Sequence, residues 1–124
     1  MSMTINELET PVPLVDLDRL ARNLDRAAAY ATAHDLALRP HIKTHKSPRI
    51  ATEQIKRGAV GVTCATPFEA EVMSDVCDDI LVAYPPVGAA RANRLAMLPD
   101  TVKLTVALDS LRAIDDVATA ARDA

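Results

Sequence analysis

The sequence predicts an α/β protein built around a parallel sheet. Short apolar segments rich in β-branched residues alternate with amphipathic segments, and this alternation occurs five times along the 124 residues. Successive strands are about 20 to 25 residues apart, which is the spacing of βα units in a parallel sheet. Neither GxGxxG nor GxxxxGK[ST] occurs, so the two common nucleotide-binding motifs give no support for a doubly wound open sheet.

The first predicted strand and helix follow a lead-in that contains Pro11 and Pro13. Because proline interrupts a central strand, we predict that the strand begins near Leu14. Asp18 is a candidate N-cap for the helix, since its carboxylate can accept hydrogen bonds from free backbone N–H groups. Apolar residues then recur at helical spacing until about His34, which predicts an amphipathic helix with one buried side.

The second predicted strand covers residues 36–45 and carries a basic face. Pro40 disfavours the helical conformation for the residue before it, so the segment begins as extended chain. Crowding by other cations favours the neutral form of a lysine amine, which is the nucleophilic form that a Schiff base requires. Lys43, in the middle of the row, is therefore the candidate nucleophile. Alternate residues of a strand share one face, and here that face would carry Arg39, His41, Lys43 and His45.

Three other interpretations of this basic segment remain open. The simplest is an edge strand whose charged face is solvated, because most charged side chains are exposed. His41 and His45 could share a metal ion on a helix, but the glutamate of HExxH is missing, and on a strand they would be about 13 Å apart. Nucleic-acid binding is disfavoured by the net charge of −3 and by a content of one Phe and two Tyr.

The second helix has clear start and stop signals. Ser47 is its predicted N-cap, and Pro48 occupies the first turn, where its missing N–H has no cost. The helix is predicted to end at about Arg57, where Gly58 can adopt the left-handed conformation that follows many helices.

The remaining elements are defined by similar signals. Thr66 and Glu69 have the spacing of a capping box, which predicts a third helix to about Val76. Asp109 or Ser110 is the predicted cap of the last helix. The other elements are predicted as strands at residues 59–65, 79–84 and 102–108 and as helices at residues 89–98 and from 111 onward.

Composition limits the class of protein. No apolar run approaches the roughly 20 residues of a membrane span, and no signal peptide is recognisable at the N-terminus. Cys64 and Cys77 do not form a CxxC pair, which predicts reduced thiols in a cytoplasmic protein.

The basic segment resembles a known cofactor-binding segment. RPHIKTHKSP, residues 39–48, is similar to the cofactor-lysine segment of the D-threonine aldolase and D-serine dehydratase family. That family belongs to the alanine-racemase-like, fold-type III group of pyridoxal-phosphate enzymes. The similarity continues in the same order through TPVPLVDLDRLARNL (10–24), GAVGVTCATPFEAEVM (58–73), DDILVAYPPVG (78–88) and VKLTVALDS (102–110).

The resemblance implies a fold, a cofactor and a reaction class. Lys43 would form the Schiff base with pyridoxal 5'-phosphate, and Arg39, His41 and His45 would contact the cofactor or the substrate. The cofactor then acts as an electron sink for cleavage next to Cα. The implied reaction is retro-aldol cleavage, as for D-threonine, or dehydration, as for D-serine. Amino-acid racemisation is a further possibility within the superfamily.

The implied fold is the N-terminal (β/α)8 barrel of the alanine racemase type. Such a barrel takes about 250 residues, so this chain would hold about five βα units of it. The rest of the barrel, a β-rich domain, most of the phosphate-binding loop and the family's divalent-metal ligands would lie outside this chain. Unpaired strand edges predict self-association into a homo-oligomer. A non-catalytic scaffold with a vestigial cofactor lysine is the alternative function.

Overall fold

The computed structural model describes residues 3–124 and shows an α/β chain with a three-stranded sheet. A 3₁₀ turn at Ile42–Thr44, here called the Lys43 turn, stands between the first two α-helices, and another 3₁₀ turn lies at Ile5–Glu7. The other elements, in chain order, are α1 (Leu17–Ala33), α2 (Pro48–Lys56), β1 (Val62–Cys64), α3 (Pro67–Met73), β2 (Asp79–Val82), α4 (Ala89–Ala96), β3 (Lys103–Val106) and α5 (Leu111–Asp123).

The sheet is parallel, with the strands in the order β1-β2-β3. Ile80 in the middle strand pairs with Val62 on one side and with Leu104 on the other. Parallel neighbours that follow each other in sequence, each joined by a helix, are the arrangement of βα units. The fold is therefore consistent with part of a TIM-barrel-like domain.

The two faces of the sheet differ in chemistry because successive side chains of a strand point to opposite sides. One face carries the apolar side chains, which pack against α2, α3 and α4 and form the core. The opposite face is mixed, with Asp79 paired to Lys103 in one row and Leu81 between Thr63 and Thr105 in the next. The fully buried strand residues of the core are Val62, Cys64, Ile80 and Val82.

The first predicted strand does not form. Residues 14–16 lead directly into α1, and the side chains of Leu14 and Val15 are exposed. These apolar side chains have no sheet to pack against, so their β propensity is not expressed. Asp16 caps α1, accepting a hydrogen bond from the Arg19 N–H at 2.9 Å; the prediction that Asp18 is the cap was wrong by two residues.

The second predicted strand does not form either, although its residues lie beside β1, where a strand would be. Residues 38–41 run alongside β1, with the Val60 N–H donating to the Leu38 carbonyl at 2.9 Å and the Thr63 N–H to the Pro40 carbonyl at 2.8 Å. The segment qualifies only as a bridge between His41 and Thr63. Pro40 has no N–H to donate, and the Lys43 turn ends the extended conformation immediately afterwards.

The local helix signals are confirmed. Ser47 caps α2, with its hydroxyl accepting from the Ile50 N–H at 3.4 Å, and Thr66 caps α3, accepting from the Glu69 N–H at 3.2 Å. Ser110, rather than Asp109, caps α5. Gly58 follows α2 with a φ of 94°, the left-handed conformation expected there. None of the helices in residues 3–124 is long and apolar enough to cross a membrane.

Candidate functional site

Lys43 lies at the carboxyl end of the sheet. The Lys43 turn directly follows the parallel bridge between His41 and Thr63, so Lys43 lies beyond the paired part of its segment, toward the carboxyl end of β1. Ile42, just before it, is 0% exposed and belongs to the core, which fixes the start of the turn. Active sites of βα folds collect at this end of the strands. The Lys43 side chain is exposed, and within residues 3–124 its amine has no hydrogen bond or ion pair.

His41 shapes the backbone at Lys43. Its ring Nδ1 accepts a hydrogen bond from the Lys43 N–H at 3.2 Å and so caps the Lys43 turn. Because Nδ1 is the acceptor, the neutral ring carries its proton on Nε2. The structure therefore brings the His41 ring to the backbone N–H of Lys43, whereas the sequence predicted that the two side chains share one face of a strand.

His45 does not share a face with Lys43, because the 3₁₀ turn breaks the alternation of a strand. Its Nδ1 accepts from the Ser47 N–H at 3.0 Å, and its Nε2 is buried without a hydrogen-bond partner in residues 3–124. Burial lowers the pKa of the His45 ring below its ordinary value of 6.5. His45 is thus held as a neutral ring at the start of α2.

The pKa of His45 predicts a pH-dependent stability. A ring with a lowered pKa in the folded state binds protons more readily in the unfolded chain, so the free energy of unfolding should fall as the pH drops below 6.5. His45→Asn keeps an acceptor for the Ser47 N–H but cannot titrate. We expect the urea midpoint of this variant to change less than that of the unsubstituted protein between about pH 7.5 and pH 5.5. His34→Asn, at an exposed position after α1, is the control and should keep the original pH dependence.

Arg39 lies at the opposite end of the sheet from Lys43. Its Nη1 is 2.8 Å from Asp79 Oδ1 and donates to the Asp79 carbonyl at 3.1 Å. Asp79 is the first residue of β2, whereas the Lys43 turn lies beyond the bridge of His41 with Thr63, toward the carboxyl end of β1. The Arg39 guanidinium, with Lys103 at 3.6 Å, holds the pKa of the Asp79 carboxyl below its ordinary value. The structure therefore does not bring Arg39 to the amine of Lys43.

Comparison with known proteins identifies relatives of this chain. It is 37% identical over 123 residues to the 3-hydroxy-D-aspartate aldolase of Paracoccus denitrificans, an alignment that covers 97% of this chain and 32% of the relative. It is 34% identical over 124 residues to the D-threo-3-hydroxyaspartate dehydratase of Delftia sp. strain HT23, which covers 99% and 33%. The crystal structure of D-threonine aldolase from Filomicrobium marinum superposes with a TM-score of 0.89 at 38% identity, covering 96% of this chain and 32% of that one.

The chain is a homologue of D-threonine aldolase, 3-hydroxy-D-aspartate aldolase and D-threo-3-hydroxyaspartate dehydratase. It spans about a third of the length of the relatives it matches. No protein-family model matches it.

Two residues of this D-threonine aldolase homologue were not predicted as part of the site. Glu69 was predicted only as a capping residue of the third helix, but its carboxylate forms an ion pair with Lys46. Glu69 also accepts a hydrogen bond from the Ala65 N–H at 2.7 Å. Burial raises the pKa of the Glu69 carboxyl, but the hydrogen bonds from Lys46 and from the Ala65 N–H outweigh it, so the pKa lies below its ordinary value.

Two basic residues close to Lys43 in sequence are engaged in ion pairs. Arg39 is paired with Asp79 and Lys46 with Glu69. These contacts join residues that are far apart in sequence, and no local pattern in the sequence indicates them. Among the lysines of residues 3–124, Lys43 is the one without a carboxylate partner.

A small cavity lies at the carboxyl end of the sheet, and Lys43 is not among its lining residues. A cavity of about 230 Å³ lies where β1 and β2 end, lined by Thr66, Tyr84 and Arg91 among others. Tyr84 is exposed beside it. A search of residues 3–124 finds no group of three or more His, Cys, Asp or Glu side chains that could hold a metal ion.

Proposed function

We propose that this chain is part of a pyridoxal-phosphate-dependent lyase acting on D-β-hydroxy amino acids, with Lys43 as the cofactor-binding residue. The observation that carries the proposal is the exposed, unpaired amine of Lys43 at the carboxyl end of a parallel sheet. The names of the homologues support the reaction class, since they are aldolases and a dehydratase of D-threonine or 3-hydroxyaspartate.

The chain offers this cofactor one point of covalent attachment, the amine of Lys43. An amine without an ion-pair partner can condense with an aldehyde, with loss of water. We include His41, His45 and Arg39 as proposed cofactor contacts, and His41 is the best placed because its ring touches the backbone of Lys43. Arg39 and His45 would have to exchange their present partners.

The chemistry requires further groups. When bound, pyridoxal phosphate supplies an electron sink for bond cleavage at Cα or Cβ of an amino acid. Retro-aldol cleavage, dehydration and racemisation differ in which bond breaks, and residues outside this chain would decide between them. We propose that these residues, the divalent-metal ligands and the rest of a (β/α)8 barrel of the alanine racemase type lie in the portion of the relatives that this chain does not span. Self-association into a homo-oligomer also stays a prediction.

The second candidate function is a non-catalytic scaffold in which Lys43 is vestigial. It is favoured by the contacts of Arg39 and His45, which bind carboxylate and backbone groups of the fold and are not free for a ligand. In that case the amine of Lys43 would react with pyridoxal phosphate no faster than any other exposed lysine.

Covalent labelling distinguishes the two functions. The chain is incubated with pyridoxal phosphate, reduced with borohydride, and the modified lysine is located by peptide mapping. We expect Lys43 to carry at least about tenfold more label than Lys56, an exposed lysine in α2. Lys43→Arg should abolish the selective label, whereas Lys56→Arg should leave it unchanged.

Equal labelling of all exposed lysines would support the scaffold and contradict the enzyme. Selective labelling without turnover of D-threonine or D-serine is the result expected when the remaining groups of the site are supplied by other residues.

A further inference from the structure

The backbone leaves the Lys43 turn through a residue in an unfavourable conformation. Lys46 has a φ of 50°, which costs about 1 kcal/mol or more for a residue with a Cβ. Its N–H donates to the Ile42 carbonyl at 2.7 Å, and the His45 N–H donates to the same carbonyl at 3.1 Å. Two hydrogen bonds therefore close the turn that presents Lys43. Their donors, the N–H groups of His45 and Lys46, depend on the backbone conformation of Lys46.

Glu69 holds Lys46 by its side chain. The Glu69 side chain is 7% exposed, and a carboxylate this buried is stable only when its oxygens are paired. One oxygen pairs with Lys46 Nζ, and the other accepts from the Ala65 N–H. Both oxygens thus have fixed partners, so the ion pair is anchored even though most of the Lys46 side chain is exposed.

The two partners of Glu69 belong to different segments at the carboxyl end of the sheet. Ala65 directly follows β1. Lys46 follows the Lys43 turn. A single carboxylate on α3 therefore ties the end of β1 to the chain that leaves Lys43.

We infer that Glu69 is a positioning residue for Lys43, acting through Lys46 to fix the turn from which the amine projects. The inference rests on the proposed role of Lys43 in cofactor binding. Capping of α3 does not account for the whole role of the carboxylate, because its oxygens bind Lys46 and the N–H of Ala65, the residue before the N-cap Thr66. Residues in sparsely populated backbone conformations tend to occur at functional sites, where the surrounding structure holds them in place.

Glu69→Gln tests the inference with little change of shape. Gln keeps an oxygen that can accept from the Ala65 N–H but loses the charge that pairs with Lys46. We expect amide hydrogen exchange at His45 and Lys46 to become about tenfold faster, because their bonds to the Ile42 carbonyl open more often. Selective labelling of Lys43 by pyridoxal phosphate should fall several-fold.

Two controls separate positioning from general loss of stability. Glu71→Gln removes an exposed carboxylate of the same helix that pairs with Arg94, and both measurements should stay as in the unsubstituted protein. Amide exchange at Ile80, in the middle strand, should be unchanged in Glu69→Gln. Lys46→Met should reproduce the effects of Glu69→Gln, and the double variant should add little to either, because both remove the same contact.

The measurements test the positioning role of Glu69 and the cofactor role of Lys43 separately. Unchanged exchange at His45 and Lys46 in Glu69→Gln, or equal acceleration at Ile80, would overturn the inference. Absence of selective labelling in the unsubstituted protein would overturn the cofactor role of Lys43, while the exchange comparison would still decide whether Glu69 holds the turn.

Discussion

Replacing Ile42 with Ala is expected to lower the free energy of unfolding by about 2 to 5 kcal/mol, the usual cost of truncating a fully buried Ile. Ile42 is 0% exposed and packs in the same core as Val62, Cys64 and Val82. It also directly precedes Lys43, and its carbonyl accepts the two hydrogen bonds that close the turn. A cavity at this position should therefore weaken the core and loosen the site at once.

Urea unfolding measures the loss of core stability, and amide exchange at His45 and Lys46 measures the loosening of the turn. Val60→Ala is the matched control, since Val60 is a β-branched residue just before β1 that is 47% exposed. Its cost should stay within about 0.5 kcal/mol. If Ile42→Ala cost no more than Val60→Ala, Ile42 would not be the anchor that the structure indicates.

The helices could be predicted because their signals are local. Ser47, Thr66 and Ser110 each accept a hydrogen bond from a backbone N–H three residues later, so the sequence spacing contains the whole interaction. Gly58 similarly meets a conformational requirement of the residue after a helix. Such signals do not depend on the rest of the fold, and their prediction was confirmed to within a few residues.

Strands could be predicted only in segments whose apolar side chains are buried against the helices. The segments containing β1, β2 and β3 are apolar on the side that packs against the helices, and these three of the five predicted strands formed. Leu14 and Val15 have the same β propensity but lie outside the core. A strand also needs a partner distant in sequence, and the residues themselves do not show whether one is present.

The candidate site was predictable in part for the same reason. The position of Lys43 at the end of the sheet follows from the order of strands and helices together with the resemblance to the aldolase family. The ion pairs Arg39–Asp79 and Lys46–Glu69 join residues 40 and 23 positions apart, and they determine which cations remain near Lys43. The prediction that alternate residues of 39–45 share one face was wrong, because a 3₁₀ turn takes the place of the strand.

Gly61→Ala is expected to be the most damaging single-methyl addition in the sheet region. A Cβ at Gly61 would lie 2.3 Å from Arg39 Nη1 and 2.3 Å from the Asp79 carbonyl oxygen. The guanidinium can move away, which would break its ion pair with Asp79. The carbonyl belongs to the backbone of β2 and can move only if β1 and β2 separate, so we expect a loss of about 3 kcal/mol in the free energy of unfolding.

Gly58→Ala provides the contrast that isolates this steric effect. Gly58 has a φ of 94° with open space around it, so Ala there should cost about 1 kcal/mol through backbone strain alone. Comparing the two variants in an Arg39→Ala background then identifies the obstacle. If the guanidinium were the main obstacle, Gly61→Ala would become much less costly in that background. We expect most of the cost to remain, because the Asp79 carbonyl is still in place, and a cost equal to that of Gly58→Ala would contradict the close approach of β1 and β2 at this position.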